Sequence, residues 1–243
     1  MTSRQRVDRL LVSRGFFESR ARAQAAIAAG LVTADGTLVR KASEEISASA
    51  VVNAGRPHPY VSRGGVKLAA ALDHYGIDVA GRVCIDVGAS TGGFSEVLLL
   101  RGAKRIYAVD VGHGQLHASL QGRSEIVSLE KTDIRSLAPS TLVEPPNLAT
   151  VDVSFISLRL VLPAIGNLLQ PIAVIVALIK PQYEVGRGRV KRGIVRSAPA
   201  RAAACNEIAA FLSSQGWRVR EPIPSPISGG DGNCEYLIEA ERG

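Results

Sequence analysis

Apolar residues along the chain follow two different periods. Near the start they are sparse and helically spaced: Val7, Leu10 and Leu11 precede Gly15, and Ala23, Ala26 and Ile27 form a stripe after Ser19. This predicts two short helices, with Ser19 as the N-cap of the second. Gly30 ends that second helix, and Leu31–Thr33 and Leu38–Val39 flank Ala34-Asp35-Gly36, the pattern of two strands around an Asp-Gly turn. Asn53–Pro59 reads as a linker by its composition. After it, a helix is expected over Gly65–His74, and short apolar runs at 82–86, 105–109, 125–129, 147–152 and 172–179 alternate with helical patterns. Such alternation predicts an α/β chain with a mostly parallel sheet and helices on both faces. The last third departs from it. A helix over Ala200–Ser213, then Trp217-Arg218-Val219, a Pro/Ser/Gly loop and Glu235–Ile238 fit an antiparallel hairpin at the sheet edge.

The strand that reaches Asp86 runs into a glycine-rich turn and then a helical pattern: Val83–Leu99 reads V-C-I-D-V-G-A-S-T-G-G-F-S-E-V-L-L. Strand, glycine turn and helix in that order form a nucleotide-type site at the carboxyl end of a parallel strand. The spacing G-x-x-x-G-G is not the dinucleotide fingerprint G-x-G-x-x-G, and Asp86 ahead of the first glycine would repel a pyrophosphate. It suits a cofactor with a cationic end, such as the amino-acid moiety of S-adenosylmethionine. The next strand ends in Asp110, placed to accept hydrogen bonds from ribose hydroxyls.

Length and composition narrow the class. The 243 residues allow one large domain, or one large and one small, and 46% hydrophobic residues with a mean hydropathy of +0.14 are enough for a core. The net charge of +7 points to a polyanionic partner, most simply nucleic acid. That charge is uneven: residues 1–60 carry eight Arg and one Lys against five acids, and residues 180–196 carry six basic residues against Glu184 alone. Three scattered cysteines and four histidines without ligand spacing give neither a disulfide framework nor a metal site. The charged N-terminus lacks a signal core, and the longest apolar run, Ile172–Ile179, falls short of the ~20 residues that span a bilayer. A cytoplasmic protein without a membrane partner is expected. With no heptad or large apolar stripe, a monomer is favoured.

Four polar positions stand where active-site residues of open α/β sheets are found. Lys67 lies in the first turns of a helix, Asp152 ends the fourth core strand, Lys180 follows Ile172–Ile179, and Glu235 opens the last strand. A lysine flanked by carboxylates can be fixed in place, while desolvation lowers its pKa. Such a group can orient a ribose 2′-hydroxyl, a poor nucleophile, or remove its proton.

Several motifs carry a resemblance. S-R-x-x-A-x-x-x-I-x-x-G-x-V over Ser19–Val32 resembles the S4 RNA-binding domain, in which the basic face of the second helix contacts structured RNA. Together with S-R-G-G-x-K-L, D-V-G-A-S-T-G-G-F, D-V-S-F-I-S, L-I-K-P-Q-Y-E and G-N-x-E-Y, it resembles the TlyA family, which pairs an S4 domain with an FtsJ-like ribose methyltransferase domain and also carries the label hemolysin. The resemblance implies a small αL-type S4 domain over 1–55, a linker over 56–61, and a Rossmann-like S-adenosylmethionine-dependent methyltransferase domain with a mostly parallel seven-stranded sheet over 62–243. It implies a catalytic tetrad of Lys67, Asp152, Lys180 and Glu235. The cofactor would be held by Asp86, Gly88, Ala89, Ser90, Thr91, Gly92, Gly93, Phe94 and Asp110, with Asp133 beside the adenine where the family often carries Asn. RNA contacts would come from Arg4, Arg6, Arg20, Arg22 and Arg63, and from Arg187, Arg189, Lys191 and Arg192 in the loop V-G-R-G-R-V-K-R-G, which is of a kind that tracks phosphates. The activity implied is cytidine 2′-O-methylation of ribosomal RNA. The eight residues after Glu235 resemble the shorter family type that modifies large-subunit (23S) RNA only, with 16S RNA as a second candidate. Three alternatives stand beside it, one being a pseudouridine synthase, another S4-carrying class, which would lack the cofactor motif Asp86–Gly93. A pore-forming hemolysin needs a membrane-spanning or strongly amphipathic segment, which the sequence lacks. A non-catalytic protein binding S-adenosylmethionine and RNA is opposed by the intact tetrad.

Overall fold

The computed structural model describes residues 4–55, 58–186, 188, 190 and 192–243. The chain divides into two compact units, Met1–Pro59 and Tyr60–Gly243.

In the N-terminal unit, β1 (Arg4–Arg6) leads into α1 (Val7–Ser13) and α2 (Arg20–Ala28), followed by β2 (Val32–Ala34), β3 (Thr37–Leu38), β4 (Glu45–Ser47) and β5 (Val52–Ala54). Ser19 caps α2, its side chain accepting from the Arg22 amide. Asp35 and Gly36 both have positive φ, 48° and 77°, so β2 and β3 join through the left-handed turn that the Asp-Gly pair favours. Val7, Leu11, Ala23, Ala26, Ile27 and Val32 make the core, with alanines letting the two helices approach. Asn53 and Ala54 belong to β5, paired with Thr33 and Val32, and are not linker: their backbone groups complete a three-stranded sheet. The β1–β4 pair was not evident in the sequence because three polar-rich residues are too short to show a period of two.

The C-terminal unit comprises α3 (Gly64–Tyr75), β6 (Val83–Val87), α4 (Gly93–Leu100), β7 (Arg105–Val109), β8 (Ile126–Leu129), β9 (Leu148–Val151), α5 (Leu158–Leu168), β10 (Ala173–Ile179), α6 (Pro181–Glu184), α7 (Ala198–Ser214), β11 (Arg218–Val219), β12 (Ile223–Pro224) and β13 (Tyr236–Arg242). The sheet order is β11-β13-β10-β9-β6-β7-β8, and β12 also pairs with β13. The run from β10 to β8 is parallel, and β13 is antiparallel to its neighbours. Strand residues alternate between two cores. Cys84, Ile106, Leu148, Val176 and Leu237 pack with Leu68, Leu72 and Leu98 of α3 and α4. Ile85, Tyr107, Ala149, Ile175 and Ile238 pack with Val161, Ile165, Ile208 and Leu212 of α5 and α7.

One expectation holds and another needs correction. β11 and β13 form the expected antiparallel pair at the sheet edge, β11 outermost and β13 between it and β10, with Leu237, Ile238 and Ala240 fully buried. Among the described residues, no α-helix connects β7 to β8 or β8 to β9. The first connection carries Gly112, Gly114 and Gly122, and the second has two 3₁₀ turns (Ile134–Ser136 and Pro139–Thr141) and Pro145-Pro146. Glycine raises the entropic cost of a helix and proline removes its donor. No helix of the described residues is long and apolar enough to cross a membrane.

The second of these connections is held by one hydroxyl. Tyr107, 1% exposed, donates through its OH to the Glu144 carbonyl (3.1 Å) and accepts from the Glu144 amide (3.0 Å). Tyr107→Phe leaves both backbone groups unpaired and is expected to cost about 1–3 kcal/mol. In thermal unfolding this should lower the midpoint by several degrees, and an unchanged midpoint would show that the hydroxyl is dispensable.

Candidate active site

The site is a consequence of strand register. Val87 pairs with Val151, so β6 and β9 end together and deliver Gly88 and Asp152 to the same edge. The adjacent β10 ends at Ile179 and delivers Lys180. Ile179 in turn pairs with Tyr236 of the antiparallel β13, which puts Glu235 opposite Lys180 at that edge. Lys67 reaches it from α3, which packs against α4 and β13. The four residues form two ion pairs. Lys67 Nζ donates to Glu235 Oε2 at 2.5 Å, with both side chains at most 9% exposed. Lys180 Nζ lies 2.6 Å from Asp152 Oδ1 and donates to Ser154 Oγ at 2.8 Å.

Two cavities meet at this edge. One of about 450 Å³ is lined by Gly88, Ser90, Val109, Asp110, Asp133, Ile134 and the segment Asp152–Ile156. A second, about 240 Å³, is lined by Arg63, Lys67, Ala89, Thr91, Gly93 and Phe94. Gly88, Ser90 and Asp152 border both. The carboxylate of Asp110 already accepts from the amides of Ser90 (2.8 Å) and Gly112 (2.6 Å), which shapes the glycine turn, and that of Asp133 is engaged by Arg135 at 2.6 Å. Gly92 lines neither cavity. It has φ of 89° and packs against Leu116 and Leu120, so its role here is in the turn.

Glycines also explain the S-R-G-G motif. A side chain at Gly65 would collide with the Tyr60 ring, and one at Gly93 with Ser62, so small residues let the starts of α3 and α4 touch and carry Lys67 inward. Two residues escaped the sequence reading. Glu184 accepts from Ser157 Oγ (2.5 Å) and the Leu158 amide (2.8 Å), tying the loop after β9 to the turn after β10. Asn233, 2% exposed, accepts from the Val195 amide (3.1 Å) and donates to the Gly193 carbonyl (2.8 Å), fixing the exit of the basic loop beside Glu235. Both lie within motifs noted above, L-I-K-P-Q-Y-E and G-N-x-E-Y, but nothing local in the sequence announces their distant partners.

The expected RNA-contacting residues divide. Arg63 and Arg192 are exposed. Arg4 donates to the Glu45 carbonyl (2.5 Å), Arg22 pairs with Glu18 (3.2 Å), and Arg6 and Arg20 both bind the carboxylate of Asp8. Arg187, Arg189 and Lys191 lie outside the described residues.

Asp86 is fully buried beneath the turn and borders neither cavity. Its carboxylate accepts from Ser95 Oγ (2.6 Å) and Thr150 Oγ1 (3.2 Å). Burial, and next to it the charge of Asp152, push its carboxyl up to about 7 against those two bonds. Because this lies above the unfolded value, the protonated form stabilises the fold, and that contribution is lost as pH rises through about 7. The stability of the wild type relative to Asp86→Asn should therefore fall between pH 4 and 8, by on the order of 4 kcal/mol. Denaturant unfolding across that range checks it, and a difference independent of pH would sink it.

Comparison with known proteins agrees with this architecture. The FtsJ-like methyltransferase family matches residues 60–242 and the S4 domain family residues 5–52. The chain is 43% identical over 241 residues to the 16S/23S rRNA (cytidine-2′-O)-methyltransferase TlyA of Mycobacterium tuberculosis, covering 98% of this chain and 90% of that one. It is 38% identical to Hemolysin A of Brachyspira hyodysenteriae, covering 96% and 98% of the two chains. A solved structure from Streptococcus thermophilus, described as a candidate hemolysin, superposes with a TM-score of 0.79 at 39% identity, covering 100% of this chain and 90% of that one. The chain belongs to the TlyA family, in which an S4 domain precedes an FtsJ-like methyltransferase domain.

Proposed function

We propose that this chain transfers the methyl group of S-adenosylmethionine to the 2′-oxygen of a cytidine ribose in ribosomal RNA, large-subunit RNA being the first target. The observation that carries the proposal is the meeting of Lys180–Asp152 and Lys67–Glu235 at one sheet edge beside a cavity of about 450 Å³. That volume suits a nucleoside-sized ligand. Its lining fits S-adenosylmethionine: the Asp110 carboxylate to accept from ribose hydroxyls, Asp133 to accept from the adenine amine, and Val109 and Ile134 as apolar surface for a flat ring. When bound, this cofactor supplies an electrophilic methyl group on a sulfonium.

The protein supplies position and a proton acceptor. Lys180, fixed by Asp152 and Ser154, would orient the 2′-hydroxyl and, as the neutral amine, take its proton while the new O–C bond forms and the methyl–sulfur bond breaks, its electron pair leaving with the sulfur as a thioether. Lys67–Glu235 presents a second, nearly water-excluded charge pair against the same ribose. Alignment of oxygen and methyl contributes the larger share of the rate. The S4 unit docks the RNA.

Transfer of labelled methyl to purified 50S subunits, 30S subunits and free rRNA tests this. Wild type should label a cytidine 2′-oxygen. Lys180→Arg keeps the charge but cannot release a proton, and should lower kcat by about 10²–10⁴-fold with cofactor binding retained. Full activity of Lys180→Arg would remove the proton-acceptor role. No label on any substrate, with cofactor bound, would leave a non-catalytic binding protein.

A further inference from the structure

The N-terminal unit buries one carboxylate. Asp8, in the first turn of α1 between Val7 and the core residues Leu10 and Leu11, is completely inaccessible. A buried carboxylate is tolerated only when paired and hydrogen-bonded, and this one is held from three directions. Arg6 donates from Nε (3.1 Å) and Nη2 (3.0 Å), Arg20 from Nη2 (2.7 Å) and Nε (3.3 Å), and Gln24 from Nε2 (3.0 Å). These bonds, that of Arg6 foremost, hold the carboxyl far below the usual range. Glu45, opposite Arg6 in the β1–β4 register, is the other acid that faces it.

One guanidinium neutralises Asp8, and the second is surplus to that carboxylate. Both guanidiniums stay partly in solvent, their side chains 38% and 48% exposed. Asp8 grips the Nε–Nη2 edge of each, so neither planar group is free to rotate, and the edge carrying Nη1 is not used by that carboxylate. A free arginine loses rotamer freedom when it binds a phosphate, and an arginine already fixed loses less. Guanidinium edges match phosphate oxygens two at a time.

We infer that Asp8 is a positioning residue, a buried carboxylate that holds Arg6 and Arg20 as a rigid double fork for the backbone phosphates of RNA. This rests on the reading of the S4 unit as the RNA-docking module and names the atoms it uses. It also inverts a simple expectation. By charge alone, removing a carboxylate from a basic surface strengthens RNA binding; if Asp8 positions the arginines, removing it weakens binding.

The test is affinity for purified 23S rRNA over a salt series, using the full chain as wild type, Asp8→Asn, Arg20→Lys and the double variant Arg6→Ala/Arg20→Ala. Asp8→Asn should bind about five-fold or more weakly despite the loss of a negative charge, with an unchanged slope of log affinity against log salt, because the same phosphates are still met. Arg20→Lys should weaken binding to a similar degree, since the amine keeps the charge but not the fork. The double alanine variant should lose affinity and reduce the slope by about 2. Binding by Asp8→Asn as tight as wild type or tighter overturns the positioning role. So does a weakened Asp8→Asn whose slope falls to that of the double variant, which marks a disrupted unit. Wild-type affinity in the double variant overturns both this inference and the RNA-docking reading beneath it.

Discussion

At the carboxyl edge of the sheet, backbone packs directly on backbone. Gly88 lies so near the Asp152 carbonyl that a side chain there has no room, and its φ of 83° is one that other residues rarely adopt. The Gly88 amide donates to the Val109 carbonyl (2.9 Å) and the Asp152 amide to that of Val87 (2.9 Å), so three strands stay stitched together past their last ladder residues. This approach gives two cavities a common wall and sets Asp152 between them. The glycines of the turn and of the S-R-G-G motif serve closeness more than mobility: they let one element touch another, and Asp152 and Lys67 are placed by that contact.

Charge is spent at this edge in a way that stability does not require. A buried ion pair gains about as much from attraction as it loses in desolvation, and apolar residues of similar volume often do as well. Lys67–Glu235, almost without solvent, is therefore better understood through what it presents to a ligand. Asp8 with its two arginines follows the same logic in the other unit, where small alanines and a few aliphatic side chains already supply the core.

Parts of this were legible in the sequence and parts were not, for definable reasons. Asp152 and Lys180 were readable because each ends an apolar run, and a polar residue there sits at a strand end in any parallel sheet. Asp86 was readable as a strand-end acid, but not its complete burial, which depends on Ser95 and Thr150 reaching it from α4 and β9. Arg6 and Arg20 read as free basic residues because Asp8, in V-D-R-L, looks like an ordinary polar position on a short amphipathic helix. The terminal antiparallel pair at the sheet edge was legible, but not which of its strands lies outermost, because strand order is a long-range property, whereas hydrophobic period is local. Helices between β7 and β9 were over-read: the alternation was extended across glycines and prolines that break it.

The place of β13 bears on how the chain assembles. Lys67 and Glu235 are 168 residues apart, and the strand that brings Glu235 in sits within the sheet, not on its rim. A contact of such sequence separation forms late, after the cost of closing a long loop has been met. During synthesis the parallel strands can gather around α3 and α4 while the β10 edge stays bare and aggregation-exposed until the final segment emerges. Completion of the sheet and pairing of Lys67 with Glu235 are thus one event, so an incompletely assembled chain holds that lysine without its carboxylate.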